Sequence, residues 1–293
     1  MKIAFLGLGK MGTPVARLLL QQKLDVTVWS RTAAHADALC QYGAVRASTA
    51  AEAVSGADVV FSMLLDDPAF ESIFFHGKLL DALQRGAIHV CLSTISVALS
   101  RIFTSEHTAR GQHFVAAPVF GRPHIAEAGK LWVAVGGAKD PVERVRPLLQ
   151  HFSRGITVVS EHPWGAHALK LGGNFLITAM IGALTESFIY AEALSLDPAV
   201  FLQTVNSALF QSPFYELYGN LMLHPPQSPG ATIAVGEKDL RLFREAAQSG
   251  RVSTPLADLF MATFHRAFEA GMKDADWAAG YYRLERGVEN HAR

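Results

Sequence analysis

The segment Lys2-Ile3-Ala4-Phe5-Leu6-Gly7-Leu8-Gly9-Lys10-Met11-Gly12 constrains what this chain can fold into more than any other stretch. Lys2 to Leu6 reads as a strand, Gly7 to Gly12 has GxGxxG spacing, and Met11 to Gln22 has the apolar periodicity of a helix. In a strand–turn–helix unit the three glycines have separate tasks: a tight turn, close backbone approach to a pyrophosphate, and close packing of helix on strand. The helix start adds free N–H groups and a partial positive charge, which favour phosphate. Gly7, Leu8, Gly9, Lys10, Met11 and Gly12 are therefore expected to hold a dinucleotide.

The pattern continues as a strand–helix alternation. Asp25–Trp29, Val59–Leu64, Ile88–Leu92, His113–Ala116 and Trp132–Val135 read as strands, with a helix over Ala33–Tyr42. Such alternation predicts an α/β fold whose right-handed βαβ units build a mostly parallel sheet. After about Val159 the helical period takes over. One long helix is expected over 163–194, roughly 45 Å at 1.5 Å per residue, with Leu196-Asp197-Pro198 closing it. Shorter helices follow around Ala199–Leu209, Lys238–Gln248, Pro255–Ala270 and Ala275–Leu284. The expected domains are 1–162, which binds the dinucleotide, and an all-α 163–293.

Charge and composition remove other classes. Lys plus Arg and Asp plus Glu both number 26, so the chain offers no overall basic field for nucleic acid or anionic lipid. Half the residues are apolar and 18% are charged, which is enough apolar surface to order the chain. The two cysteines, Cys40 and Cys91, form no CxxC, and with no leader-like start they indicate a reducing compartment, the cytoplasm. The apolar, charge-free run Leu171–Leu184 is shorter than a bilayer span, so no membrane partner is expected. The twelve histidines include no HExxH, so no metal is expected, and the absence of GxSxG argues against hydrolase chemistry. Asp66-Asp67-Pro68 reads as a turn, and His162 and His167 as surface or capping residues at the start of the long helix.

About 20 residues past the glycine turn, a site for NAD usually carries Asp or Glu to accept the ribose hydroxyls. This chain has Ser30, Arg31 and Thr32. A guanidinium flanked by hydroxyls binds a 2′-phosphate through charge-assisted hydrogen bonds, which selects NADP; the other reading is a solvated arginine in a polar turn.

With the glycine turn followed in order by Ser93-Thr94-Ile95-Ser96, Ala117-Pro118-Val119, Lys170-Leu171-Gly172-Gly173-Asn174 and Gly236-Glu237-Lys238-Asp239-Leu240, the chain resembles the β-hydroxyacid dehydrogenase family over essentially its whole length. That family, within the 6-phosphogluconate dehydrogenase superfamily, includes 3-hydroxyisobutyrate dehydrogenases and glyoxylate/succinic semialdehyde reductases. The resemblance implies a Rossmann-like N-terminal domain, a long interdomain helix, an all-α substrate and oligomerisation domain, an active site in the interdomain cleft, and a homodimer or homotetramer. It implies a small carbonyl compound or hydroxy acid as substrate and a nicotinamide cofactor as hydride carrier, NADP(H) by the reading of Arg31. Reduction of a carbonyl leaves an alkoxide that needs a proton donor and hydrogen bonds. The resemblance gives the first role to Lys170 and an orienting role to Asn174, four residues on along one helix face. It places Thr94, Met63, Leu64, Leu65 and Lys238 against the cofactor. For Met63 and Leu65 core packing is the other reading, and for Lys238 an exposed helix end.

One departure bears on substrate. Where many members follow Ala-Pro-Val with a serine and two small residues that hold a carboxylate, this chain has Phe120, Gly121 and Arg122. Either Arg122 binds a carboxylate in the serine's stead, or Phe120 leaves an apolar pocket for a neutral aldehyde, ketone or imine. Phe214, with Tyr215 and Tyr218, lines the substrate side or belongs to the helical core. The competing functions are an imine or bulky-ketone reductase and a non-catalytic NADPH-binding or scaffold protein; Lys170 argues for carbonyl chemistry.

Overall fold

The computed structural model describes residues 1–290, with side chains through Gly287. Nine strands form one sheet: β1 (Lys2–Leu6), β2 (Asp25–Trp29), β3 (Val45–Arg46), β4 (Val59–Ser62), β5 (Ile88–Cys91), β6 (His113–Ala116), β7 (Val119–Phe120), β8 (Leu131–Gly136) and β9 (Ser153–Ser160). Their order is β3-β2-β1-β4-β5-β6-β8-β7, with β9 beside β8. Strands β1 to β6 are parallel, whereas β8 runs antiparallel to β6 and β7. The expected mostly parallel sheet is thus present, and β3, β7 and β9 are additions that the sequence pattern does not show.

The chain winds from β1 outward to β3 and then returns to β4 on the other side of β1. That reversal makes the carboxyl ends of β1 and β4 a switch point, where crossovers leave in opposite directions and a crevice opens. Both faces of the sheet are covered, as a parallel sheet requires. In β1, Ile3 and Phe5 enter one apolar layer with Val15 and Leu19, while Ala4 and Leu6 enter the other with Phe70 and Phe103.

The second layer encloses a directed hydrogen-bond chain. Gln112 Nε2 donates to the carbonyls of Leu80 and Leu83 at 2.8 and 2.9 Å, so its Oε1 faces His107 Nδ1 at 2.8 Å and accepts from it. A neutral His107 then accepts at Nε2 from His89 Nδ1 at 2.9 Å, and His89 Nε2 accepts from the Ser62 hydroxyl at 2.7 Å. Phe70, Phe74, Phe103 and Phe114 surround His89. Burial drives the His89 imidazole well below its ordinary range and His107 down to about 4. His167 also departs from its expected surface or capping role: it is fully buried, with Nδ1 at 2.8 Å from Ser100 Oγ. His162 is exposed and stacks on Trp164.

A 31-residue helix, Pro163–Ala193, follows β9. By length and composition alone it could cross a membrane, which the shorter charge-free run had argued against. Its middle turns, however, place Ile181, Leu184 and Phe188 in an apolar core with Ile233, Leu240, Phe260, Phe264, Trp277 and Tyr281. The chain divides into two compact units inside this helix, the first ending at Lys170 and the second starting at Leu171. The second unit is helical: Pro198–Val205, Pro213–Leu223, Ile233–Ser249, Pro255–Glu269 and Trp277–Asn290. Asn206–Phe210 widens into a π-type turn, which shortens the helix expected over Ala199–Leu209. The helix expected from Lys238 starts a turn earlier, where the Thr232 side chain accepts from Val235 N.

Because His89 and His107 are neutral in the fold and titrate near 6.5 when unfolded, the unfolded protein gains protons first as pH falls. Stability is therefore fully present above about pH 7 and lost on the way from 6.5 toward 4. Urea titrations at pH 7.5 and 5 should differ by up to roughly 2 kcal/mol for each histidine. Equal unfolding free energies would show that neither group is held neutral.

Candidate active site

The site is assembled where successive strands end on one edge of the sheet. Gly7 N donates to the Trp29 carbonyl at 3.0 Å, which sets the glycine turn beside the Ser30-Arg31-Thr32 loop. Gly7 has φ +96°, and a Cβ there would lie 2.3 Å from the Met63 carbonyl oxygen. Gly12 opens the helix Gly12–Gln21, and a Cβ there would lie 2.0 Å from the Gly7 carbonyl oxygen. A Cβ on Gly9 would meet nothing within 4 Å. The first and last glycines are thus fixed by internal packing, while the middle one faces open space beside a helix N-terminus. That is the cradle a pyrophosphate fills, and the residues fit a dinucleotide.

The neighbouring loops are tied to this turn and to each other. Met63 N bonds the Leu6 carbonyl at 2.8 Å, and Leu64 N donates to Ser93 Oγ at 2.8 Å. Asp66 caps the short helix Asp67–Phe70, and the Asp67 carboxylate accepts from Ser96 N at 3.0 Å. Asp67, with the Leu64–Ser93 bond, therefore holds the loops after β4 and β5 together. Thr94 follows β5 on the same edge and is half-buried.

The expected cofactor residues differ in burial. Leu8 is buried in the apolar layer and can reach a ligand only through its backbone. Met11 and Met63 pack partly against that layer, and Leu64 against the opposite one. Leu65 is exposed, as are Lys10, Arg31 and Thr32. Cys91 lies beneath this edge with its thiol pushed up to about 12 by burial, so it is inert as a nucleophile.

On the far side of the sheet, β7 pairs Phe120 with Trp132. Gly121 then turns with φ +144°, where a Cβ would meet Leu131 at 2.6 Å. Arg122, 7% exposed, opens the short helix Pro123–Glu127. Lys170, 8% exposed, places Nζ 4.1 Å from the centroid of the Phe120 ring.

The second unit holds a polar cluster of its own. Asn174, one turn beyond Lys170 on the same helix, donates from Nδ2 to Asp239 Oδ2, and Lys238 Nζ lies 2.8 Å from Asp239 Oδ1. Asp239 is 3% exposed and orders both neighbours. Asp239 is a site residue beyond those expected from the sequence, and its spacing is a usable signal for it, because Gly236, Asp239 and Leu240 fall on one buried helix face. Lys238 is mostly buried and ion-paired rather than an exposed helix end. Phe214 is 40% exposed and stacks on the buried Tyr218.

Fold and glycine cradle together define a Rossmann-type dinucleotide-binding protein. Residues 2–160 match the family model for the NAD binding domain of 6-phosphogluconate dehydrogenase. Residues 165–284 match that for the NAD-binding region of NADP-dependent 3-hydroxyisobutyrate dehydrogenase. The chain is 39% identical over 281 residues to the uncharacterized oxidoreductase YfjR of Bacillus subtilis, covering 95% of this chain and 98% of that one. It is 31% identical to the chloroplastic glyoxylate/succinic semialdehyde reductase 2 of Arabidopsis thaliana, covering 94% and 77% of the two chains. The solved 3-hydroxyisobutyrate dehydrogenase of Mycobacterium tuberculosis, with L-serine, superimposes with a TM-score of 0.86 at 26% identity, covering 97% and 98%. The chain belongs to the β-hydroxyacid dehydrogenase family.

The two kinds of glycine separate in a simple experiment. Gly9→Ala should keep the wild-type melting temperature and weaken dinucleotide binding at least about tenfold, read by quenching of protein fluorescence. Gly12→Ala should instead lower the melting temperature by several degrees, as overpacking of about 1–3 kcal/mol does. Unchanged binding in Gly9→Ala would remove the cradle assignment.

Proposed function

We propose that this chain is an NADP(H)-dependent reductase of a small carbonyl compound, an aldehyde or a semialdehyde acid, with Lys170 as the general acid. The observation that carries the reading is Lys170 itself, an almost fully buried lysine inside the Lys-Leu-Gly-Gly-Asn segment of the family. A buried ammonium costs desolvation, and a chain keeps one where its proton is used. The bound nicotinamide would supply the hydride. Lys170 Nζ would give its proton to the carbonyl oxygen as charge develops there, and Asn174, oriented by Asp239, would position the substrate or the lysine. Retention of both residues argues against a non-catalytic dinucleotide-binding scaffold.

Support for NADP over NAD comes from Arg31. It follows β2 in a loop that begins beside the glycine turn, and Ser30-Arg31-Thr32 contains no carboxylate to accept ribose hydroxyls or repel a 2′-phosphate. A cytoplasmic location is supported by two cysteines that remain free thiols. A homodimer or homotetramer is supported by exposed Leu176, Tyr190, Val200, Leu256 and Leu259 in the helical unit. Phe120 favours a second reading, reduction of an imine or a bulky ketone, because it puts a ring where the family's serine would offer a hydroxyl.

Lys170→Ala should lower turnover by about 10²- to 10⁴-fold while NADPH affinity stays near wild type. Retention of most turnover would disqualify Lys170 as the acid. Arg31→Ala should weaken NADPH by about 10- to 100-fold and leave NADH nearly unchanged, as loss of a charged hydrogen bond does. Equal losses would point to NAD. For substrate class, succinic semialdehyde and butyraldehyde share a chain length and differ in a terminal carboxylate. A kcat/KM ratio strongly favouring the acid, and lost in Arg122→Ala, assigns carboxylate recognition to Arg122; a ratio near one assigns an apolar pocket, and faster imine turnover the second reading.

A further inference from the structure

Phe120 stands where the sequence departs from its family, and the structure gives the ring something to do. Its backbone is clamped in β7 by pairing with Trp132, and the turn at Gly121 fixes the exit of the strand. The ring therefore has little freedom to move away. Lys170 Nζ sits 4.1 Å from its centroid, well inside the roughly 6 Å reach of a cation over an aromatic face. Both residues belong to the first compact unit, so the contact is internal to that unit.

We infer that Phe120 is a positioning residue for Lys170: its ring face helps to hold the ammonium in place, in its charged, proton-loaded form, ahead of the reduction. The inference rests on the proposed role of Lys170 and adds to it. An aromatic quadrupole attracts the ammonium and has no such attraction for the neutral amine, so the contact is strong before proton transfer and weak after it. A lysine side chain has four rotatable bonds, and a flexible acid is a poor one unless something restrains it. A carboxylate at this position would restrain it too, but by an ion pair that opposes release of the proton. The ring restrains more weakly. The same substitution removes the hydroxyl that the family uses on substrate, so one residue changes how the acid is held and what the pocket offers.

Placement and function are tested separately. In protein labelled with [ε-13C]lysine, the ε-methylene protons of Lys170, assigned by loss in Lys170→Arg, should lie upfield through the ring current. That shift should vanish in Phe120→Leu and persist in Phe120→Tyr. On activity, Phe120→Leu should lower kcat by about two- to thirtyfold with the KM for NADPH unchanged, and Phe120→Tyr should restore most of it. Replacing Phe120 with mono-, di- and trifluorophenylalanine, which drains the ring face at nearly constant volume, should lower kcat stepwise. An unshifted Lys170 resonance, or a flat fluorine series with Phe120→Leu equal to wild type, overturns the inference and leaves the acid role of Lys170 standing. Turnover surviving in Lys170→Met, with the ring-current shift present, overturns the acid role and leaves the ring–ammonium contact standing.

Discussion

The arrangement depends on one close approach: the backbone of Gly7 against the Met63 carbonyl on one side and Gly12 on the other. No side chain fits at either position, so β1, the loop after β4 and the helix from Gly12 come together only as bare backbone. That approach brings the helix N-terminus to the carboxyl edge of the sheet, at the point where the winding reverses. The rest of the edge is then determined by parallel pairing. β2, β4 and β5 each end one strand away from their neighbour, so their loops converge without any contact needing to be invented for them.

Convergence alone does not make a rigid site, and the polar residues beneath and between the loops supply the rigidity. Ser93 and Asp67 accept backbone N–H groups from adjacent loops. Ser62, the last residue of β4, starts the hydrogen-bond chain through His89 and His107 to Gln112. Each link in that chain has a fixed direction, because Gln112 donates to two carbonyls and both imidazoles stay neutral. An apolar layer there could slide; a directed chain cannot shift one member without breaking two bonds. The loop carrying Met63 and Leu64 therefore begins from a strand end held at both faces.

How much of this was legible in the sequence follows from the distance over which each feature is specified. The glycine turn, the parallel strands and the long helix depend on patterns a few residues long, and the structure has them within a residue or two. β7 is two residues and has no period to detect. β9 carries Ile156, Val158 and Val159 at the sheet's margin, half-exposed and unalternating, so its run does not stand out. The burial of His167 depends on Ser100, 67 residues away, and the pairing of Asn174 with Asp239 spans 65. Leu8 and Met11 belong to the glycine motif by position, while their side chains pack wholly or partly against the apolar layer, which a motif read residue by residue does not show. What local pattern left open was long-range pairing, and the site's polar geometry consists mostly of that.

The long helix carries a residue of each of two such restraints, Lys170 at the end of the first unit and Asn174 in the second. Lys170 is fixed from outside the helix by an aromatic ring, and Asn174 by a buried carboxylate that also binds Lys238. A lysine facing a carboxylate is stabilised in its charged form far more than one facing a ring. Asp239 thus orders Asn174 and Lys238 through charged contacts, and the Phe120 ring adds to Lys170 a contact weak enough to let a proton go, as the proposed acid role requires.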